Sequence, residues 1–211
     1  MAETSQPLPT GGADAKSGRA RILDAAFAAF AEHGYAQTTM LEIATRAKVS
    51  KRELYALVGN KQDVLAICIA ERAGRAGAPI GMATPADRES LREVLAAFGE
   101  RLLREATAQP VLAVFRLAIA EAERVPAIAR TLDAVARAPA RRELAAVIAK
   151  ARAAGLIEGD TMPLTARFLA LLWGDLMVSL LLRLADPPTP EEARRRAGEA
   201  AAAFLRLCGA G

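Results

Sequence analysis

Apolar residues recur along this chain at helical spacing from residue 18 onward, and strict apolar/polar alternation is absent. The first stripe, Ile22, Leu23, Ala26, Phe27 and Phe30, predicts a helix over 18–33 with Gly34 as its stop. Two short helices and a tight turn follow. Thr39 with Glu42, and Ser50 with Glu53, each place a hydroxyl and a carboxylate three residues apart, which satisfies orphan backbone donors at a helix start. Asn60 with Asp63 is a weaker version of the signal and opens a fourth helix reaching about Arg75. Within the short pair, Leu41, Ile43, Ala44 and Ala47 are expected to be buried on the first helix, Val49 in the turn, and Leu54, Leu57 and Val58 on the second. Lys51, Arg52, Tyr55 and Ala56 then remain exposed on the second helix.

Further along, 74–84 is expected to be a loop, and Thr84, Pro85 and Asp87 to begin a fifth helix running to about Thr107. Pro110 opens a sixth, whose run 111–120 is apolar except for Arg116. Pro126 and Pro139 predict a short helix, a break or kink, and a helix over 138–154 stopped by Gly155. An eighth helix is predicted over 164–184, and Thr189, Pro190 and Glu192 cap a ninth ending near Leu207. The expected protein is all-α, with about nine helices. Asp175 interrupts the eighth helix and Arg167 and Arg183 bound it, so its uncharged stretches fall short of the ~20 residues a membrane span needs. The last two helices read instead as a hairpin suited to pairing with a second copy of the chain.

The chemistry of the short helix pair points to DNA. A helix whose first turn offers two long cations and a phenol suits a major groove, where Arg and Lys donate to guanine edges and phosphates. The run 21–65, RILDAAFAAFAEHGYAQTTMLEIATRAKVSKRELYALVGNKQDVL, resembles the DNA-binding domain of TetR-type regulators. The likeness lies in Gly34-Tyr35, Thr38-Thr39, Val49-Ser50-Lys51, Leu54-Tyr55 and Lys61. Candidate DNA contacts are accordingly Thr38, Thr39, Lys48, Ser50, Lys51, Arg52, Tyr55 and Lys61. The chain departs from the pattern at Lys48, where a turn glycine is usual, at Val58, where an aromatic is usual, and at Ala56 and Glu53. Glu53 is read as a capping partner rather than a base contact.

After the DNA-binding domain the resemblance is to regulators with an AefR-like C-terminal domain, through FRLAIAEAERVPAIA (115–129), LLWGDLMVSLLL (171–182) and AAFLR (202–206). In that family this domain binds effectors and dimerises. The implied organisation is a tail over 1–17, a helix-turn-helix domain over 18–64, and an effector-binding and dimerisation domain over 65–208.

Composition narrows the alternatives. From Lys16 to Lys61 there are eight Lys or Arg against four Asp or Glu, a local +4 in a chain whose net charge is +4, as expected for a polyanionic partner. His33, the one histidine, sits at a helix end, and there is no Gly-rich phosphate loop, HExxH or GxSxG motif. Neither enzyme activity, a cofactor nor a metal is expected. Cys68 and Cys208 are far apart and read as buried thiols in a reducing cytoplasm, and no signal peptide opens the chain.

Two charges in apolar helices need an account: Arg116 either pairs with Asp175 or Glu121, orients a ligand's polar group, or is exposed at a helix end. Phe98, Leu102, Phe115, Arg116, Ile119, Trp173 and Met177 are the candidate ligand residues, for a mostly apolar small-molecule effector. The expected function is a homodimeric, ligand-responsive repressor on a near-palindromic double-stranded operator. An activator of the same family, or a helical ligand-binding protein without DNA binding, are the alternatives.

Overall fold

A computed structural model describes residues 11–74 and 84–208 of the chain, all of whose regular elements there are helices. The first ten residues of the expected tail, and 75–83 of the expected loop, lie outside the described residues. Two compact units divide between Cys68 and Ile69 rather than at 64/65.

Unit 1 holds α1 (Gly11–Gln37), α2 (Met40–Ala47) and α3 (Lys51–Val58), and α4 (Lys61–Gly74) begins in it. α1 starts at Gly11, ahead of the expected residue 18, because Ala13, Ala15 and Lys16 are good helix formers that extend an already nucleated helix cheaply. Gly34, at φ 76° and ψ 163°, breaks it where the stop was expected. Ile22, Leu23, Ala26 and Phe30 of α1 are buried with Ile43, Ala44, Ala47, Leu54 and Val58. One reading of helical phase is reversed: Leu41 is 65% exposed and Met40 is buried in its place. Because α2 has only eight residues, Met40 and Leu41 were equally plausible ends of its apolar arc.

Unit 2 contains α5 (Arg88–Ala106), α6 (Gln109–Glu121), α7 (Pro126–Leu132), α8 (Ala138–Ala153), α9 (Thr161–Trp173), α10 (Leu176–Leu181) and α11 (Pro190–Leu207). α5 starts at Asp87, whose carboxylate and Ser90 form the capping box, and Pro85 lies outside it. As expected, the short α7 and the α8 that starts at Ala138 are separated by an irregular stretch, which is a π-helical turn, Asp133–Arg137, ahead of Pro139. Proline lacks an N–H and crowds the carbonyl four residues back; the wider turn, in which the Ala138 N–H reaches Asp133 O, removes that conflict.

The expected helix over 164–184 is two helices. Gly174, at φ 47° and ψ −124°, ends α9, and Arg196 of α11 holds that end by donating to Leu172 O at 2.6 Å and Trp173 O at 2.7 Å. This break divides one expected helix in two, and eleven α-helices lie among the described residues where about nine were expected. The caps at Thr189 with Glu192, and the left-handed Gly155 after α8, fall where the sequence placed them.

The core of unit 2 is built on α5, α9 and α11. Phe168 lies between Phe98 and Phe204, with centroids 6.3 and 5.7 Å away. α11 turns a row of alanines, Ala193, Ala197, Ala200 and Ala201, inward, which lets α5 approach closely. Gly99 completes that approach: a Cβ there would stand 3.0 Å from both Ala197 Cβ and Leu172 Cδ1. Gly99→Val should therefore overpack the contact and lower unfolding free energy by about 1–3 kcal/mol. Urea denaturation measures this, and an unchanged midpoint would contradict the packing described.

Candidate nucleic-acid interface and ligand cavity

α3, the helix expected to face DNA, is held by contacts at both of its ends and through the turn before it. Thr39 Oγ1 accepts from the Glu42 N–H at 3.1 Å, and Ser50 Oγ accepts from the Glu53 N–H at 3.1 Å, so both helices start on the predicted caps. Between them Lys48 adopts the left-handed region at φ 54°, ψ 48°, a conformation that costs a non-glycine residue about 1 kcal/mol. It is retained because the turn satisfies two carbonyls: the Lys48 N–H bonds Thr45 O and the Val49 N–H bonds Ala44 O. After α3, Gly59 has φ 76°, and any Cβ there would lie 2.5 Å from Asp63 Oδ2.

α1 supplies two clamps that sequence reading missed. Arg19 Nη1 donates to Leu57 O at 3.2 Å, and Arg21 Nε donates to Ala47 O at 3.3 Å. They hold the last carbonyls of α3 and α2 against one scaffold helix. On the surface nearby, Arg46 bridges Glu32 at 2.8 Å and Glu42 at 2.9 Å and lies 3.0 Å from His33 Nε2. Hydrogen bonding and charge from Arg46 lower the Glu32 carboxyl below its ordinary pKa.

On the outer face, Lys48, Lys51, Arg52 and Tyr55 are exposed, and their side chains make no hydrogen bond or ion pair among the described residues. Ser50 and Thr39 are exposed beside them. Two expected contacts are placed differently. Thr38 is 1% exposed and its hydroxyl donates inward to Gly34 O at 2.8 Å, so it stiffens the α1 end. Lys61 Nζ donates to Ala36 O at 3.2 Å and lies 4.4 Å from the centre of the Tyr35 ring, which fixes α4 to the end of α1. At the start of α4 the Gln62 and Asp63 N–H groups are taken by Asn60 Oδ1, at 2.8 and 3.2 Å. The Glu53 carboxylate faces back toward Gly18, where a Cβ would stand 3.3 Å from its Oε1, and only its backbone N–H takes part in the Ser50 cap.

Unit 2 contains a mostly apolar cavity of about 190 Å³. Leu102, Phe115, Trp173 and Met177 line it as expected, together with Ala106, Val111, Ala136, Arg137, Ala140, Arg141 and Leu169. The other three candidates do not. Phe98 is 1% exposed in the core, Ile119 is 60% exposed, and Arg116 donates to Leu180 O at 2.7 Å and Leu181 O at 3.1 Å. Arg116 thus caps α10 and lines a separate polar recess with Gln109, Arg183 and Asp186. It pairs with neither Asp175, which is exposed before α10, nor Glu121, whose buried Oε2 has no hydrogen-bond partner. The pairing argument assumed one helix through residue 175, and the break at Gly174 removes that premise. The cavity arginines were overlooked although Asp133, Arg137 and Arg141 recur at helical spacing.

Two family models match the chain. One, described as bacterial regulatory proteins, tetR family, covers residues 22–67. The other, AefR-like transcriptional repressor, C-terminal domain, covers residues 93–210. Among solved structures, a TetR transcriptional regulator from Agrobacterium tumefaciens is 27% identical over 91% of this chain and 94% of its own, with a TM-score of 0.77. The flavonoid-responsive regulator FrrA is 28% identical over 92% of this chain and 98% of its own, with a TM-score of 0.77. A TetR family regulator from Pseudomonas syringae pv. tomato is 25% identical over 89% and 95%, with a TM-score of 0.71. No curated protein matches the chain.

Arg52 is the exposed side chain best suited to a bidentate base contact. On a duplex selected from random DNA by the parent protein, Arg52→Ala should lose about 1–3 kcal/mol of discrimination at one base pair per half-site. Lys51→Ala should instead weaken all duplexes alike and flatten the salt dependence. Unchanged discrimination in the Arg52 variant, measured by competition binding, would show that a different face reads the bases.

Proposed function

We propose, from the premise that this chain belongs to the TetR family of bacterial regulatory proteins and carries an AefR-like C-terminal domain, that it is a homodimeric, ligand-responsive repressor. The transcriptional regulator is the family's property; repression, dimerisation and ligand response are the reading proposed here. The observation that carries it is the α3 surface, where Lys51, Arg52 and Tyr55 stand exposed on a helix clamped from behind by Arg19 and Arg21. Each protomer would place α3 in the major groove of one half-site, with half-sites about 34 Å apart in a two-fold dimer.

Dimerisation is supported by apolar surface in unit 2. Val178 and Leu182 are 58% and 63% exposed at α10, Leu184 is 76% exposed just beyond it, and Met162 of α9 and Leu207 of α11 are also exposed. α10 lies within the stretch 164–184 that, with the last helix, was expected to pair with a second copy. The 18-residue α11 contributes mainly its charged outer face.

The apolar cavity supports an effector. FrrA is by its name flavonoid-responsive, and a planar, largely apolar molecule suits a cavity edged by Phe115 and Trp173. Release of DNA follows if the occupied state favours a dimer with wrongly spaced reading helices, because the effector then binds the two states unequally.

Val178→Glu combined with Leu182→Glu should give a folded monomer whose operator affinity falls steeply, since two half-sites no longer act together. Light scattering and a mobility shift on the gene's own upstream DNA check both parts. A parent protein that is monomeric at micromolar concentration and still binds operator tightly would overturn the dimeric repressor.

A further inference from the structure

The cavity of unit 2 is not uniformly apolar. Its charged lining comes from two arginines at one edge, Arg137 at the end of the π-helical turn and Arg141 in the first turn of α8. Both converge on a single carboxylate. Arg141 Nη2 donates to Asp133 Oδ1 at 2.8 Å and Oδ2 at 2.9 Å, while Arg137 Nη1 lies 3.4 Å from Oδ1. Two guanidiniums share one anion, so the edge of the apolar chamber carries an excess positive charge.

That arrangement favours one ligand chemistry. The Arg137, Arg141 and Asp133 side chains are 59%, 38% and 40% exposed, so the existing pair is wetted, contributes little stability, and exchanges partners at small cost. A cationic ligand could pair with Asp133 only while facing two like charges. A neutral one would gain the apolar contacts with Phe115 and Trp173 but would leave the excess charge unanswered. An anion answers it, and the planar fork of Arg141 matches a carboxylate in two-point geometry.

Resting on the effector reading above, we propose that the cavity takes an amphipathic organic anion, an apolar and preferably aromatic body bearing one carboxylate. The acid group displaces Asp133 from Arg137 and Arg141. Asp133 opens the π-helical turn between α7 and α8, so its release changes the support of a turn that is already irregular because of Pro139. Occupancy of the cavity is thereby converted into a change in the backbone at its edge, which supplies the differential binding a ligand-driven switch requires.

The test uses two probes of nearly equal shape, 4-butylbenzoate and 4-butylbenzamide, titrated calorimetrically into the full chain. Trp173, the chain's single tryptophan, lines the cavity and reports its occupancy by fluorescence. The benzoate should bind about tenfold more tightly than the amide, the size expected for one hydrogen bond to a charged group after loss of the Asp133 pair. Arg141→Ala should abolish that preference, whereas Asp133→Asn should tighten the benzoate and leave the amide unchanged. Should Arg141→Ala fail to fold, the Asp133→Asn arm decides alone. Equal affinity of the two probes for the parent, or no gain in Asp133→Asn, overturns the anion assignment; if the amide nonetheless releases operator DNA, the effector reading stands. If neither probe perturbs Trp173 at millimolar concentration, the cavity is not the site and both readings fall together.

Discussion

The structure depends on guanidinium groups bound to the ends of other helices. Helix C-termini leave carbonyls without intrahelical partners, and here arginines on neighbouring helices supply donors for many of them. Arg19 and Arg21 do so for α3 and α2, Arg116 for α10, and Arg196 for α9. Arg88 spans Leu156 O and Leu205 O at 2.7 and 2.8 Å, tying the loop after α8 to the last turn of α11. A charged donor on a carbonyl is worth about 1.5–3 kcal/mol, more than a neutral one. Only 4% of the residues are aromatic, so close packing of alanine faces brings helices together without fixing their register. Directional bonds from a planar fork supply that register, which a lysine would do less well.

Those clamps explain how an eight-residue helix presents a defined reading surface. α3 alone is too short to be stable in water, and its orientation comes from Leu54 and Val58 packing inward and from Arg19 at its end. The turn before it accepts the strain at Lys48 in exchange for two satisfied carbonyls, and the same residue adds a cation beside the reading face. Lys61 and Thr38 serve this support rather than the surface. Their similarity to family signature positions follows from the need to fix α1, α2 and α4 together.

What was legible in the sequence was local. Capping pairs at Thr39 and Glu42, Ser50 and Glu53, and Thr189 and Glu192 act within one turn and read directly from spacing. Apolar periodicity was sufficient for the all-helical class, and for leaving Lys51, Arg52 and Tyr55 on the exposed side of α3. Misreadings occurred where a distant residue decides the outcome. Gly174 lies in an apolar run that satisfies helical periodicity throughout, and only Arg196, more than twenty residues later, makes a break there favourable. Before Pro139 the irregularity was read but its π-helical form was not, because the sequence carries no sign of one. Arg116 looked like a buried charge in need of a carboxylate because carbonyls at the end of α10 are invisible until α10 exists.

The break at Gly174 also connects two features that a continuous helix would have kept apart. Trp173, the last residue of α9, and Met177, in the first turn of α10, stand on opposite sides of it, yet both line the cavity. α10 is only six residues long and is held at its far end by Arg116. Its outer side carries Val178 and Leu182 in solvent. In so short a helix the backbones of Met177 and Val178 cannot move independently, because one hydrogen-bonded turn contains both. A cavity occupant that shifts the backbone at Met177 therefore shifts Val178 with it, whereas a change of rotamer in the flexible Met177 side chain leaves Val178 in place. On the other side of the break, Arg196 fixes the Trp173 carbonyl. α10 thus carries cavity lining at Met177 and exposed apolar surface at Val178, and the backbone they share is the short path between the cavity and the surface proposed for pairing with a second copy.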